Sequence, residues 1–217
     1  MIESAIRADY HGQVRHDVIP LVPHGARLID IGGGLGRTAS ELKRLGRCEV
    51  AGLIDLHAPP PGGGLDFTDR SDLADPATLS RIAAEYGPFD TALLLDVAEH
   101  FTDPAALLAG VYAALKPGGA LVASIPNVRH CSVVLPLLLR GRWDYADSGV
   151  LDRTHLRFFT RSSMRRLIEA ANFRIERIVP TAAANRRQRL AIWLTLGLLR
   201  DFFSVQYYVV ARRAGAV

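Results

Sequence analysis

The chain has only two cysteines and two lysines, and it has no long uninterrupted apolar run. Cys48 and Cys131 stand apart, without CxxC or Cys/His ligand spacing, which argues against a disulfide framework and against a structural zinc site. No stretch reaches the roughly 18 to 20 apolar residues that span a bilayer, and the opening MIESAIRADYHGQVRHD is polar, without the apolar region of a signal peptide. A cytoplasmic protein is therefore expected. Its 217 residues, 49% of them hydrophobic, suffice for one well-buried core and are few for two, so the expectation is a single domain over 1–217.

Scarce lysine leaves arginine to carry nearly all of the 26 basic charges, and these are unevenly spread. Residues 1–128 hold 10 basic against 16 acidic side chains, whereas residues 129–217 hold 16 against 6. Such a split suits a first part that binds a cationic group and a second part that meets an anionic partner, or else solvated helix faces in an arginine-rich chain.

Apolar strand-like runs alternate with helical patterns. Strands are expected at Ala26–Ile31, Val50–Asp55, Thr91–Leu95 and Ala120–Ile125, and helices at Arg37–Leu45, Pro76–Tyr86 and Pro104–Leu115. Asp103 is a candidate N-cap with proline at the first helical position, and KPGG is expected to end that helix. This alternation implies βαβ units in a doubly wound, mainly parallel sheet. After Pro126 the pattern is irregular up to Phe159. A helix then follows at Thr160–Ala171, with Thr160 as N-cap, and a strand at Phe173–Val179. An apolar helix at Arg189–Leu199 and the β-rich VQYYVVARR complete an edge that differs from the parallel half. One crossover helix should be missing, because LHAPPPGGG after Asp55 cannot be helical.

The chemistry begins at LIDIGGGLGRTAS, residues 28–40. A strand, a glycine turn and a helix amino terminus offer backbone N–H groups and the positive end of a dipole to a ligand. The dinucleotide fingerprint can be laid over Gly34, Gly36 and Ala39, with Asp55 about 20 residues beyond, so the glycine spacing alone leaves NAD-dependent oxidoreduction open. Asp30 weighs against it, because a carboxylate just before the turn would repel a pyrophosphate at close range. The same carboxylate would attract S-adenosylmethionine, which carries an ammonium and a sulfonium and no phosphate.

IDIGGGLG resembles the first motif of class I S-adenosylmethionine-dependent methyltransferases, matched by Asp30, Gly32, Gly34 and Gly36. The resemblance implies a Rossmann-like seven-stranded sheet with a C-terminal antiparallel edge hairpin. It also implies a ribose-binding carboxylate at Asp55, and an adenine-contacting segment at LDFTD, with Asp66 facing the exocyclic amine and Phe67 beside the ring. Asp69 competes with Asp66 for that role. FDTALLLDVAEHFTDPAALLAGVYAALKPGGALVASIPN is similar to the strand-four to strand-five region of the family, with Asp96 on the cofactor side, so residues 26–127 form the expected cofactor-binding core. The following stretch, up to Phe173, is similar to bacterial methyltransferases of cell-surface polysaccharide and related small-molecule pathways, and less fully to a methionine-biosynthesis protein with the same core fold. The latter leaves room for an accessory partner protein without catalysis.

The segment 128–160 is expected to cover the acceptor site, since it follows strand five at the carboxyl end of the sheet. It contains His130, Arg140, Arg142, Trp143, Tyr145, Asp152, Arg153, His155 and Arg157. His155 is the first candidate base for removing a hydroxyl proton, though a lone histidine between apolar residues is more often a packed structural group, and His100 is the second, equally readable as holding its loop through hydrogen bonds. The expected reaction moves the methyl of S-adenosylmethionine to an oxygen, or less readily a nitrogen, of a small acceptor, and the scheme requires no metal. The basic second half suits an anionic or lipid-linked sugar. No nucleic acid is expected, because the basic residues are not interleaved with a stacking platform of aromatics. The apolar helix at 189–199, in the terminal part 161–217, suggests burial in the core, in a homodimer contact or at a membrane surface, the last in keeping with its neighbours Arg186, Arg187 and Arg189.

Overall fold

A computed structural model describes residues 13–182 and 185–215; the polar stretch up to residue 12 lies outside them. In chain order the elements are β1 Arg27–Ile31, α1 Arg37–Arg44, β2 Val50–Ile54, β3 Phe67–Asp69, α2 Thr78–Tyr86, β4 Phe89–Leu95 and α3 Pro104–Ala114. There follow β5 Leu115–Pro126, α4 Cys131–Arg140, α5 Arg161–Ala170, β6 Phe173–Pro180, α6 Arg186–Leu194, α7 Arg200–Phe203 and β7 Gln206–Arg213. The strands form one seven-stranded sheet in the order β3-β2-β1-β4-β5-β7-β6. β1 to β5 are mutually parallel, and β7 slots in antiparallel between β5 and β6. This is the doubly wound, mainly parallel sheet with an antiparallel edge that the alternation implied.

Strand alternation sends Leu28 to one face of β1 and Ile29 and Ile31 to the other. The Ile29 face packs under α2, α3 and α5, through Leu79, Ile82, Leu108, Val111, Met164 and Ile168. The Leu28 face is covered by α1, through Ala39 and Leu42, and by Val18 and Val22 of the segment that precedes β1. No helix joins β2 to β3: proline and glycine leave a turn closed by the Gly62–Leu65 bridge, and Ala58 and Leu65 fill part of the space a crossover helix would occupy. Two helix starts are fixed by their caps. Asp103 accepts from the N–H groups of Ala105 and Ala106 at 3.0 Å, and Thr160 and Ser163 form a reciprocal capping box.

Two local expectations are corrected. α3 does end just ahead of KPGG, at Ala114, but the strand expected from Ala120 already includes KPGG. β5 begins at Leu115 opposite Phe89 and carries the glycines as an irregularity before Thr91 pairs with Ala120. The apolar segment around 189–199 is not one buried helix. It splits into α6 and α7 around Leu196 and Gly197, both with positive φ, and α6 buries no residue. An apolar composition all round a helix signals burial only when the fold supplies a partner, and the described residues supply none.

Candidate cofactor and acceptor site

The carboxyl ends of β1, β2 and β4 meet at the glycine turn. Gly32, Gly34 and Gly36 all have positive φ, which a side chain would strain, and Gly36 begins α1 without a side-chain cap. Gly33 is required for a different reason: a Cβ there would collide with the Asp30 carboxylate. Asp30 is 1% exposed, and its Oδ1 finds no hydrogen-bond partner among the described residues. Burial, followed by the neighbouring charge of Asp55, pushes its pKa up to about 7, against weaker opposing pulls from the Ala39 amide and Arg15. A buried carboxyl with an orphaned oxygen, packed against backbone that only glycine allows, is chemically suited to a cationic group.

Asp55, just beyond β2, ties that strand to the turn. Its Oδ2 accepts from Gly34 N–H and its Oδ1 from His57 N–H, both at 2.8 Å. Asp96 follows β4 with φ of 56°, accepting from Ser124 Oγ at 2.7 Å and from the Arg15 guanidinium. Arg15 is a site residue that sequence reasoning missed, and no local pattern announces it. Its backbone N–H donates to Thr38 Oγ1 in α1 at 3.1 Å, and its guanidinium reaches Asp96 and lies 5.9 Å from the centre of the Tyr208 ring. Burial works against its charge, but Asp96 and Asp17 more than offset this and raise its pKa. An acid at Asp30, a guanidinium at Arg15 and a second acid at Asp55 therefore share one mouth. This donor set matches an ammonium, a carboxylate and a ribose, which are the polar parts of S-adenosylmethionine.

The structure does not bring Asp66 and Phe67 to that mouth. β3 is three residues long and pairs Phe67 with Gly52 and Asp69 with Ile54, so Asp66 sits at its amino end. There Asp66 is held by Lys43 at 2.5 Å and by Ala51 N–H at 2.8 Å. The Phe67 ring is core: it lies against Gly52 and stacks on Tyr86 with centroids 3.8 Å apart. Three residues of strand span about 10 Å, which is why the other acid of LDFTD reaches the carboxyl end instead. Asp69 accepts there from Ser71 N–H at 2.8 Å and from Arg81 at 3.0 Å, and its carbonyl accepts from Asp55 N–H at 3.0 Å.

The two candidate bases do come together, above the end of β4. The irregular segment after β5 is tied back to the turn Ala98–His100 by Leu156 N–H and Arg157 N–H, which both donate to Glu99 O, at 2.8 and 3.0 Å. His155 is thereby brought beside His100, with ring centroids 4.9 Å apart. Each ring has Nδ1 beside a backbone carbonyl, His100 at Thr154 O (3.2 Å) and His155 at Val150 O (3.0 Å). A carbonyl only accepts, so both Nδ1 atoms carry a proton, and in a neutral ring it is Nε2 that keeps the lone pair. His155 Nε2 stands 4.0 Å from Oε1 of Glu99, a second residue that sequence reasoning did not single out, whose carboxyl group is buried with neither oxygen hydrogen-bonded among the described residues. Burial and then the charge of Asp96 push the Glu99 pKa well up, while burial and His155 push that of His100 down. Glu99, His100 and His155 offer ligand atoms within 4.8 Å of one another, a donor set that a divalent cation also accepts.

Phe158 forms an aromatic wall nearby, with Trp143 at 5.3 Å and Tyr145 at 6.2 Å between centroids. Four of the other polar candidates of this segment have local partners: His130 caps α4, Asp152 accepts from Thr154 N–H at 2.8 Å, Arg153 pairs with Asp147 at 2.7 Å, and Arg157 donates to Thr102 O.

Strand order and glycine turn together define the fold of class I S-adenosylmethionine-dependent methyltransferases. An S-adenosylmethionine-dependent methyltransferase from Archaeoglobus fulgidus superposes with a TM-score of 0.65 at 16% identity, over 97% of this chain and 92% of that one. A 1,6-didemethyltoxoflavin N1-methyltransferase from Burkholderia thailandensis, solved with S-adenosylhomocysteine, superposes with a TM-score of 0.60 at 17% identity, over 98% and 87%. The chain itself belongs to the methyltransferase domain family, whose model matches residues 6–178. This displaces the dinucleotide reading of the glycines. A ubiquinone biosynthesis O-methyltransferase from Cereibacter sphaeroides is 35% identical over 117 residues, 50% of this chain and 44% of that protein. The chain thus spans about half the length of the curated relatives it matches.

Proposed function

We propose that this protein transfers the methyl group of S-adenosylmethionine to a hydroxyl oxygen of a small acceptor. The observation that carries the reading is the buried carboxyl of Asp30 against the glycine turn, with its Oδ1 lacking a hydrogen-bond partner and the charge of Arg15 nearby. When bound, the cofactor supplies a methyl group already activated on a sulfonium. The chain is left to hold the nucleophile in line, exclude water and take up one proton. Asp30 and Arg15 grip the two ends of the amino-acid tail, and Asp55 faces the ribose hydroxyls. Asp69 takes the adenine-side role in place of Asp66. Desolvation and the neighbouring His155 lower the pKa of His100, which favours the neutral ring whose Nε2 lone pair accepts the hydroxyl proton. His155 and Glu99 stand behind it as the positioning pair.

The names of the relatives support oxygen over nitrogen as the methylated atom. They set a ubiquinone precursor beside the anionic or lipid-linked sugar as acceptor class. The test is transfer of labelled methyl from S-adenosylmethionine to a panel holding a catechol, a nucleotide-activated sugar and a primary amine. Label on a hydroxyl member, lost in His100→Gln, is the expected result. Cofactor binding with no transfer to any member would overturn the enzymatic reading in favour of an accessory protein, and transfer to the amine alone would overturn the choice of oxygen.

A further inference from the structure

Most of the large apolar side chains that the fold leaves exposed are gathered in two segments. In α4 and the loop after it these are Leu135, Leu137, Leu138, Leu139, Trp143 and Tyr145; around α6 they are Leu190, Trp193, Leu194, Leu196 and Leu198. Exposure is not marginal: 74% for Leu138, 77% for Leu139, 73% for Trp193 and 95% for Leu196. Both tryptophans of the chain lie here. The two segments leave the sheet at one corner. α4 begins five residues after β5 ends, and α7 ends three residues before β7 begins, with Pro126 paired to Gln206. Asn127 fastens the corner, donating from Nδ2 to Asp201 O (2.7 Å) and Ser204 O (2.8 Å) and from its backbone N–H to Val205 O (2.8 Å). This is also the carboxyl end of β5, the end of the sheet that holds the candidate site.

The charge on these segments is predominantly positive. Arg129, Arg140, Arg142, Arg186, Arg187, Arg189 and Arg200 are all exposed, against the two carboxylates of Asp144 and Asp201 in 129–145 and 185–205. No helix among the described residues is long and apolar enough to cross a membrane. Short helices with exposed leucine and tryptophan, set among arginines, instead have the make-up of segments that lie in a bilayer interface, apolar side chains among the acyl chains and guanidinium groups among the phosphates. A second copy of this chain would bring its own arginines against these, so like-charge repulsion disfavours the homodimer.

We propose that α4 and the α6–α7 segment together form a docking surface for an anionic phospholipid bilayer, which sets the mouth of the candidate site at the membrane surface. The two tryptophans report directly on such docking. With phosphatidylcholine vesicles containing phosphatidylglycerol, the full chain should co-sediment, its tryptophan emission should shift to the blue, and brominated acyl chains should quench it. Pure phosphatidylcholine should bind much more weakly, and added salt should weaken the anionic case. Arg186→Gln with Arg187→Gln should lower partitioning about thirtyfold. Leu196→Ser with Trp193→Ser should abolish it, with the circular dichroism spectrum and melting temperature of the wild type showing that these exposed changes leave the fold intact. No binding to anionic vesicles, or binding unchanged in both pairs of variants, would overturn the proposal. So would a wild-type chain that dimerises by sedimentation velocity and becomes monomeric in Leu196→Ser/Trp193→Ser. None of these readouts uses cofactor or methyl transfer, so they stand or fall apart from the enzymatic reading.

Discussion

Replacing Asp30 by asparagine should stabilise the ligand-free protein, and by more at higher pH. The carboxyl is 1% exposed, one oxygen has no partner, and its pKa rises from 3.8 to about 7 on folding, through burial and the charge of Asp55. Between those two values the folded protein keeps a proton that the unfolded chain has released. Stability therefore falls as pH rises through that window and levels off above about 7. About three pH units at about 1.4 kcal/mol each set a ceiling of roughly 4 kcal/mol, and relaxation around the charged group brings the expectation to about 2–4 kcal/mol. For a domain of this size that corresponds to roughly 5–12 °C in melting temperature. Asparagine is neutral throughout, so Asp30→Asn should melt clearly above the wild type at about pH 8 and approach it only at about pH 4, near the ordinary carboxyl value of 3.8. Thermal denaturation followed by circular dichroism across that range decides the matter. Parallel curves for the two proteins would show that Asp30 is not a strained buried acid, and the argument for a cation socket would fail with it.

Three further outcomes follow from the same geometry. Gly33→Ala should cost about 1–3 kcal/mol, because its Cβ would collide with the Asp30 carboxylate, and much less in an Asp30→Ala background. A double-mutant cycle in urea measures that coupling, and an additive result would refute it. Arg15→Ala should weaken S-adenosylmethionine binding by about tenfold or more but leave decarboxylated S-adenosylmethionine nearly unaffected, because only the former offers the guanidinium a carboxylate; calorimetry compares the two. His100→Gln should lower kcat by about 100-fold or more with little change in KM, and activity should be undiminished in EDTA. Activity lost on chelation and restored by a divalent cation would assign Glu99, His100 and His155 to a metal instead.

What was legible in the sequence was what depends on neighbours in the chain. Asp30, the glycines and Asp55 lie within two strand ends and one turn, and the period-2 and period-3.6 patterns around them fix where those ends fall. The caps at Asp103 and Thr160 and the missing β2–β3 helix are local in the same sense. Arg15 was not legible, because its partner Asp96 is 81 residues away. Glu99 was visible beside His100, but its burial depends on a segment more than fifty residues later folding back onto its carbonyl. The choice between Asp66 and Asp69 turned on strand register, which a three-residue strand barely encodes. The exposure of α6 was hidden for the opposite reason: composition tells how apolar a helix is, and only the tertiary fold tells whether anything covers it.

The central claim is that the carboxylate of Asp30 holds the ammonium end of S-adenosylmethionine, and its most direct test is isothermal titration calorimetry of the wild type and Asp30→Asn against S-adenosylmethionine and against NAD. The carboxylate form is needed for binding, so wild-type affinity should rise about tenfold per pH unit up to about pH 7 and then level, with a proton released below that point. Asp30→Asn should bind at least about a hundredfold more weakly, as expected for loss of a buried ion pair, and neither protein should bind NAD. Undiminished S-adenosylmethionine affinity in Asp30→Asn, or tight binding of NAD in place of S-adenosylmethionine, would contradict the account.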